Sequence, residues 1–134
     1  MDKITIVTLR VADQQQALQW YKEKLGWKEV ANMPFPGDDT NRWITVAPPG
    51  QTEIEVVLQP PEWGTFEDES VREELSGKDP GFVIVTDDCR GEVETLKARG
   101  VQIVSEPEVM PWGISAVFAD PDGHMHNLLQ PSMG

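Results

Sequence analysis

Few residues of this chain have side chains suited to catalysis or recognition, and their spacing says how each could act. The run Thr52-Glu53-Ile54-Glu55-Val56-Val57-Leu58-Gln59 alternates, which sets Glu53, Glu55, Val57 and Gln59 on one strand face. A carboxylate at Glu55 among apolar neighbours has the chemistry of a general base, or of an anionic anchor for a ligand amine. Arg10 shares a face with Ile6 and Thr8 in the first strand-like run and is a cation that such an acid could engage. Five tryptophans in 134 residues are a high count, and Trp is the best aromatic for cation–π contact. Trp43, beside Arg42, and Trp112, in the turn Pro111-Trp112-Gly113, are the two placed to stack on a flat or cationic ligand. The only histidines, His124 and His126, flank Met125 on one strand. Alternation turns them to the face of Leu128, away from Met125, Asn127 and Leu129, so they read as packed or turn residues and not as a metal pair. Cys89 begins a helix beside Asp87 and Asp88 with no histidine near it in sequence, and is read as a bystander. The chain has no phosphate loop, no dinucleotide glycine fingerprint and no nucleophile elbow.

The elements that must position these groups come in two similar sets. Lys3 to Val11 alternates as a strand; Asp13 can cap a helix to Leu25, with Ala17, Leu18, Tyr21 and Leu25 at helical spacing and Gly26 as its stop. Strand-like runs follow at Lys28 to Met33, Arg42 to Ala47 and Thr52 to Gln59, separated by turn residues at Pro34 to Asp39 and at Pro48-Pro49-Gly50. A polar stretch from Pro60 to Pro80, with a short helix expected near Asp68 to Leu75, reads as a linker. The pattern then restarts: strand Phe82 to Thr86, a helix capped by Asp88 and ended by Gly100, and strands Val101 to Val104, Trp112 to Ala119 and His124 to Gln130. Asp13 and Asp88 stand 75 residues apart in the two sets. The expectation is an α+β fold in a single domain over residues 1–134: module 1 over 3–59, linker 60–80 and module 2 over 81–131. Two βαβββ modules, each too small to close a core alone, would form a half-open curved sheet or barrel around a cavity.

Composition narrows the function classes. Against 23 Asp and Glu there are 11 Lys and Arg, a formal net charge of -12, which disfavours nucleic acid and anionic membrane as partners. A single cysteine permits neither an internal disulfide nor a four-thiolate zinc site. No apolar run approaches the roughly 18 residues of a membrane span, and strand patterning begins directly after Met1-Asp2-Lys3, so a cytoplasmic location is expected.

Three segments, Ile4 to Asp13 (ITIVTLRVAD), Leu96 to Val101 (LKARGV) and Phe118 to Gly123 (FADPDG), resemble the vicinal oxygen chelate superfamily of glyoxalases, extradiol dioxygenases, fosfomycin-resistance enzymes and bleomycin-resistance proteins. In its metal-dependent members a divalent ion sits on up to four strand side chains, usually His or Glu. The resemblance puts those positions at Ile6, Glu55, Gly81 and Asn127, three of which are not ligands of the usual kind. One carboxylate and one amide hold Mn²⁺, Ni²⁺ or Zn²⁺ poorly, so no metal and no cofactor is expected. The resemblance implies a metal-free, homodimeric protein that sequesters a cationic or aromatic small molecule, with Arg10, Trp43, Glu55, Trp112 and Asn127 as ligand-binding residues. The alternative it allows is a lyase, isomerase or dioxygenase relative using Glu55 as base or as metal ligand.

Overall fold

The computed structural model describes residues 1–63 and 81–132. The helix expected near Asp68 to Leu75 lies outside the described residues. The chain divides into two compact units, Met1–Asp79 and Pro80–Gly134.

The first unit runs β1 (Ile6–Arg10), α1 (Gln14–Leu25), β2 (Lys28–Phe35), β3 (Asp38–Ala47), β4 (Glu55–Gln59) and a single 3-10 turn, Pro61–Trp63. Its sheet has the order β1-β4-β3-β2, with β1 parallel to β4 and the other pairs antiparallel. Asp13 caps α1 by accepting the Gln16 N–H at 3.0 Å, and Gly26 ends it at φ 71, where only glycine is unstrained. The helix lays Ala17, Leu18 and Tyr21 over Leu9, Ile44, Val46 and Leu58, all buried. Each buried leucine, isoleucine or valine among them contributes about 1.5–3 kcal/mol of transfer free energy. Gln14, buried at the start of α1, fixes the register of this packing. Its Nε2 donates to the carbonyls of Arg42 at 2.8 Å and Leu58 at 2.9 Å, and its Oε1 accepts the Arg42 N–H at 3.1 Å.

The second unit repeats the order: β5 (Val83–Val85), α2 (Cys89–Ala98), β6 (Gln102–Met110), β7 (Gly113–Ala119) and β8 (Met125–Pro131). Its sheet order is β5-β8-β7-β6, again with the first pair parallel. Asp88 caps α2 through the Gly91 N–H at 3.0 Å, and Val93 and Leu96 pack in a core with Val101, Ala116, Phe118 and Leu128. Two βαβββ units, each with a four-stranded mixed sheet, are the α+β architecture expected from the sequence.

β1 and β4 begin at Ile6 and Glu55, later than the expected Lys3 and Thr52, and at two further boundaries proline is the reason for the difference. Pro34 to Asp39 was expected to be a turn, yet β2 continues through Pro34 to Phe35 and β3 starts at Asp38, leaving only Pro36 and Gly37 between them. Pro107 likewise lies inside β6, which continues to Met110 instead of ending at Val104. Both β2 and β6 are edge strands, where a missing N–H breaks no ladder, and both show register shifts beside the proline.

Candidate ligand-binding face

In the first unit the helix covers one face of the sheet, and the other carries the chemistry. Parallel register sets Glu55 opposite Ile6, Val57 opposite Thr8 and Gln59 opposite Arg10; antiparallel register sets Thr45 opposite Val57. Glu55 is half-buried, and its Oε1 accepts the hydroxyl of the fully buried Thr45 at 2.6 Å, a short charge-assisted bond that fixes the carboxylate's rotamer. Arg10 is four residues along the strand from the Glu55 level, about 13 Å at strand rise. Glu55 is held at its own level of the sheet by Thr45. Arg10 and Gln59 instead occupy the end of the face toward which β3 brings Trp43.

At that end Trp43 is half-buried beside two rings that sequence reading passed over. Phe35 lies 6.4 Å from Trp43 between centroids, Trp63 lies 6.4 Å from Trp43, and Phe35 and Trp63 are 4.5 Å apart. Their planes are inclined by only 18° to 37°, so the three rings form a cluster with roughly shared orientation. Asp38 anchors it. Its Oδ2 accepts the Trp63 indole N–H at 2.7 Å and the Asn41 side-chain amide at 3.3 Å, while its Oδ1 accepts the backbone N–H groups of Thr40 and Asn41, each at 2.9 Å. These donors, the Asn41 backbone first and the Trp63 indole next, hold the Asp38 carboxyl down at about 2. The sequence signal that could have found the cluster was the aromatic next to a hairpin turn, Phe35-Pro36-Gly37-Asp38. Trp63 carried no signal, because it joins the others from beyond β4.

In the second unit Asn127 lies opposite Val83 and Val117. Its amide exchanges hydrogen bonds with the Ser115 hydroxyl, Nδ2 to Oγ at 3.0 Å and Oγ to Oδ1 at 3.3 Å. Ser115 and Asn127 thus form a neutral counterpart of the Thr45–Glu55 pair, among Val83, Val85, Val117, Leu129 and Met125. Trp112 is 57% exposed at the β6–β7 turn, with no ring partner among the described residues.

His124 and His126 face the helix-covered side, and both are fully buried. Asp120 Oδ2 lies 2.7 Å from His124 Nδ1, and its Oδ1 accepts the N–H groups of Asp122 at 3.0 Å and of His124 at 2.9 Å. Phe82 N–H donates to His126 Nδ1 at 3.0 Å, which leaves the His126 proton on Nε2, 3.8 Å from Asp120 Oδ2. Asp120, Asp122 and His124 come near enough to one another to suggest a cation site, but the Asp120 oxygens already serve the turn and the imidazole. Cys89 is also buried; its thiol lies 3.6 Å from the Leu128 carbonyl and burial pushes its pKa up, the opposite of an activated thiolate.

The positions where a metal would sit in metal-dependent relatives can be tested on this geometry. Ile6 offers no donor. A Cβ at Gly81 would collide with the Met125 carbonyl, so no histidine fits there without a backbone shift. Glu55 and Asn127 are each engaged by a neighbouring hydroxyl. This donor set does not fit a divalent ion.

A repeated βαβββ unit with one sheet face not covered by its own helix defines a class of small α+β proteins, and comparison with known proteins gives its family. The chain matches the Glyoxalase/Bleomycin resistance protein/Dioxygenase superfamily over residues 3–128. The protein belongs to that superfamily. Among solved structures it resembles UcmS2, at TM-score 0.83 and 32% identity over 96% of this chain and 98% of that one. It also resembles TnmS3, an antibiotic binding protein from Streptomyces sp. CB03234, at TM-score 0.80 and 31% identity over 98% of each chain. The YetH protein of Bacillus subtilis (strain 168) is 31% identical over 123 residues, 92% of this chain and 93% of its own.

Proposed function

We propose that this protein binds a small cationic or aromatic molecule on the open face of its first sheet, without a metal at the family position. The observation that carries the reading is the Phe35, Trp43 and Trp63 cluster, which shares a sheet face with the Glu55 carboxylate. Aromatic faces supply apolar area and attract cations, and Glu55 supplies a fixed negative charge for a ligand amine. The likeness to an antibiotic binding protein over nearly the whole chain supports the same reading. Arg10 is proposed as a further contact on that face and Trp112 and Asn127 as ligand-binding residues of the second unit, a homodimer as the working form and the cytoplasm as its place. No described helix is long and apolar enough to cross a membrane.

The test begins with metal content of protein purified without chelator, followed by titration with Mn²⁺, Ni²⁺, Zn²⁺ and Fe²⁺. Stoichiometric binding at micromolar affinity or tighter, abolished in Glu55→Ala, would sink the metal-free reading and favour an enzyme that uses Glu55 as a ligand. If no metal binds, tryptophan quenching by cationic and aromatic compounds should be saturable in the wild type and weakened in Trp43→Ala and Glu55→Gln.

A further inference from the structure

We propose that Asp38 sets the ligand preference of the aromatic cluster, fixing the Trp63 ring beside Phe35 and Trp43 and biasing their faces toward planar cations over neutral planar molecules. The inference rests on the binding reading above and deepens it by naming the ligand class and the residue that selects it.

The Asp38 carboxylate is held rigidly. Asp38 Oδ1 accepts two backbone N–H groups of its own hairpin, from Thr40 and Asn41, so the group is fixed to the hairpin that carries Phe35 and Trp43. Its other oxygen then reaches 25 residues along the chain to the Trp63 indole at 2.7 Å. A tryptophan just beyond a sheet has two side-chain torsions free to turn. A charge-assisted bond from its N–H to an immobile acceptor removes that freedom before any ligand arrives. A bracing role alone would have been met by a neutral acceptor.

The charge adds a second effect. An indole whose N–H donates to a carboxylate carries more electron density on its faces, and cation–π attraction grows with the negative potential of those faces. Glu62, next to Trp63 in the chain, accepts from Asn41 Nδ2 at 3.4 Å, the same nitrogen that donates to Asp38, so a second carboxylate meets that amide beside the anchor. A planar cation stacked on the cluster meets electron-rich faces with negative charge at their rim, whereas a neutral ring of the same shape gains only the stacking.

Asp38→Asn separates the effects of the turn from those of the tether. The amide oxygen can still accept from Thr40 and Asn41, but the amide NH₂ then meets the indole N–H donor to donor. Trp63→Phe keeps a ring and removes the donor. Full-length wild type, Asp38→Asn and Trp63→Phe are titrated with N-methylquinolinium and with 1-methylnaphthalene, a neutral ring of like size, and tryptophan emission is read. The wild type should bind the cation about tenfold more tightly than the neutral ring, and Asp38→Asn should lose roughly five- to tenfold in affinity for the cation and less than about twofold for the neutral probe. Near-ultraviolet circular dichroism of the ligand-free proteins should change in Asp38→Asn as it does in Trp63→Phe. Equal losses for both probes would overturn the selectivity and leave Asp38 a brace. An unchanged dichroism spectrum in Asp38→Asn would overturn the tether itself. If the wild type binds neither probe, both the selectivity and the binding reading beneath it fail, while the dichroism still decides the tether on its own.

Discussion

The two units share a topology and put their charge in opposite places. In the first, the helix-covered core is held by the neutral amide of Gln14, and the open face carries the ionisable Glu55 held by Thr45. In the second, the buried polar device is the ionisable Asp120 with His124 and His126, and the open face carries only the neutral Ser115–Asn127 pair. The aromatic cluster sits in the first unit with the half-buried Glu55, and the exposed aliphatic side chains Val83, Val85 and Met125 sit in the second. A βαβββ frame thus needs one polar staple between its helix or hairpin and its sheet, and leaves the open face free to diverge. The chemistry concentrates where the staple is neutral.

The largest expected effect breaks the ionisable staple. Asp120→Ala removes the acceptor of two backbone N–H groups and of the His124 imidazole in a fully buried setting. Stranding buried donors costs about 1–3 kcal/mol each, and about 3–5 kcal/mol is expected for the set, to be read in urea unfolding. A loss below about 1 kcal/mol would mean that the cluster bears little of the fold's stability. The neutral staple should yield less. Gln14→Ala strands the Arg42 N–H and two carbonyls, for an expected cost of about 1–3 kcal/mol. If it cost more than Asp120→Ala, the contrast drawn between the units would be reversed.

Substitution on the open faces should spare stability and separate function. Glu55→Gln keeps an acceptor for the Thr45 hydroxyl, so unfolding free energy should move by less than about 1 kcal/mol while affinity for N-methylquinolinium falls several-fold. Asn127→Ala in the second unit should change that affinity by less than about threefold, on the argument that a neutral amide contributes less to holding a cation than a carboxylate does. Equal losses from the two variants would remove the distinction between the carboxylate and the amide. A further contrast concerns Cys89, whose buried, pKa-raised thiol should react with iodoacetamide at pH 8 only as fast as the native protein opens. Alkylation at the rate of a free thiol would show that the start of α2 is not closed as described.

Much of this frame was legible in the sequence. Asp13 and Gly26, then Asp88 and Gly100, announced both helices because capping is local chemistry, readable within four residues. Alternation through Thr52 to Gln59 and His124 to Gln130 placed Glu55 on the open face and turned both histidines inward. The proline-bearing edge strands were cut short because a proline's cost depends on which side of the strand has a neighbour, and that is a tertiary fact. The Thr45–Glu55, Ser115–Asn127 and Asp38–Trp63 pairs were missed for a related reason. Each joins residues 10 to 25 apart, the first two across paired strands and the third from the turn beyond β4, which no short window of sequence displays. The buried role of Asp120 was hidden by the ordinary look of Asp-Pro-Asp-Gly as a turn.

The smallest effect tests the first unit's face through pH. Asp38 has its carboxyl held at about 2 against an ordinary 3.8, so its hydrogen bonds favour the folded hairpin fully above about pH 3.8. That contribution is lost as pH falls through about 2. The group is at the surface, so the energy is small, but the position of the step is diagnostic. The Trp63 signal in near-ultraviolet circular dichroism should stay constant from pH 6 down to about 3.5, where a free carboxyl would already be half protonated, and should decline only as pH approaches 2. Asp38→Asn should lack that step across the same range, and the difference between the two titrations removes whatever the buried Asp120 cluster contributes to both. A step centred near the ordinary carboxyl value would mean that the indole and amide donors do not grip Asp38 in solution, and the aromatic cluster would lose the anchor that ties it to the β2–β3 hairpin.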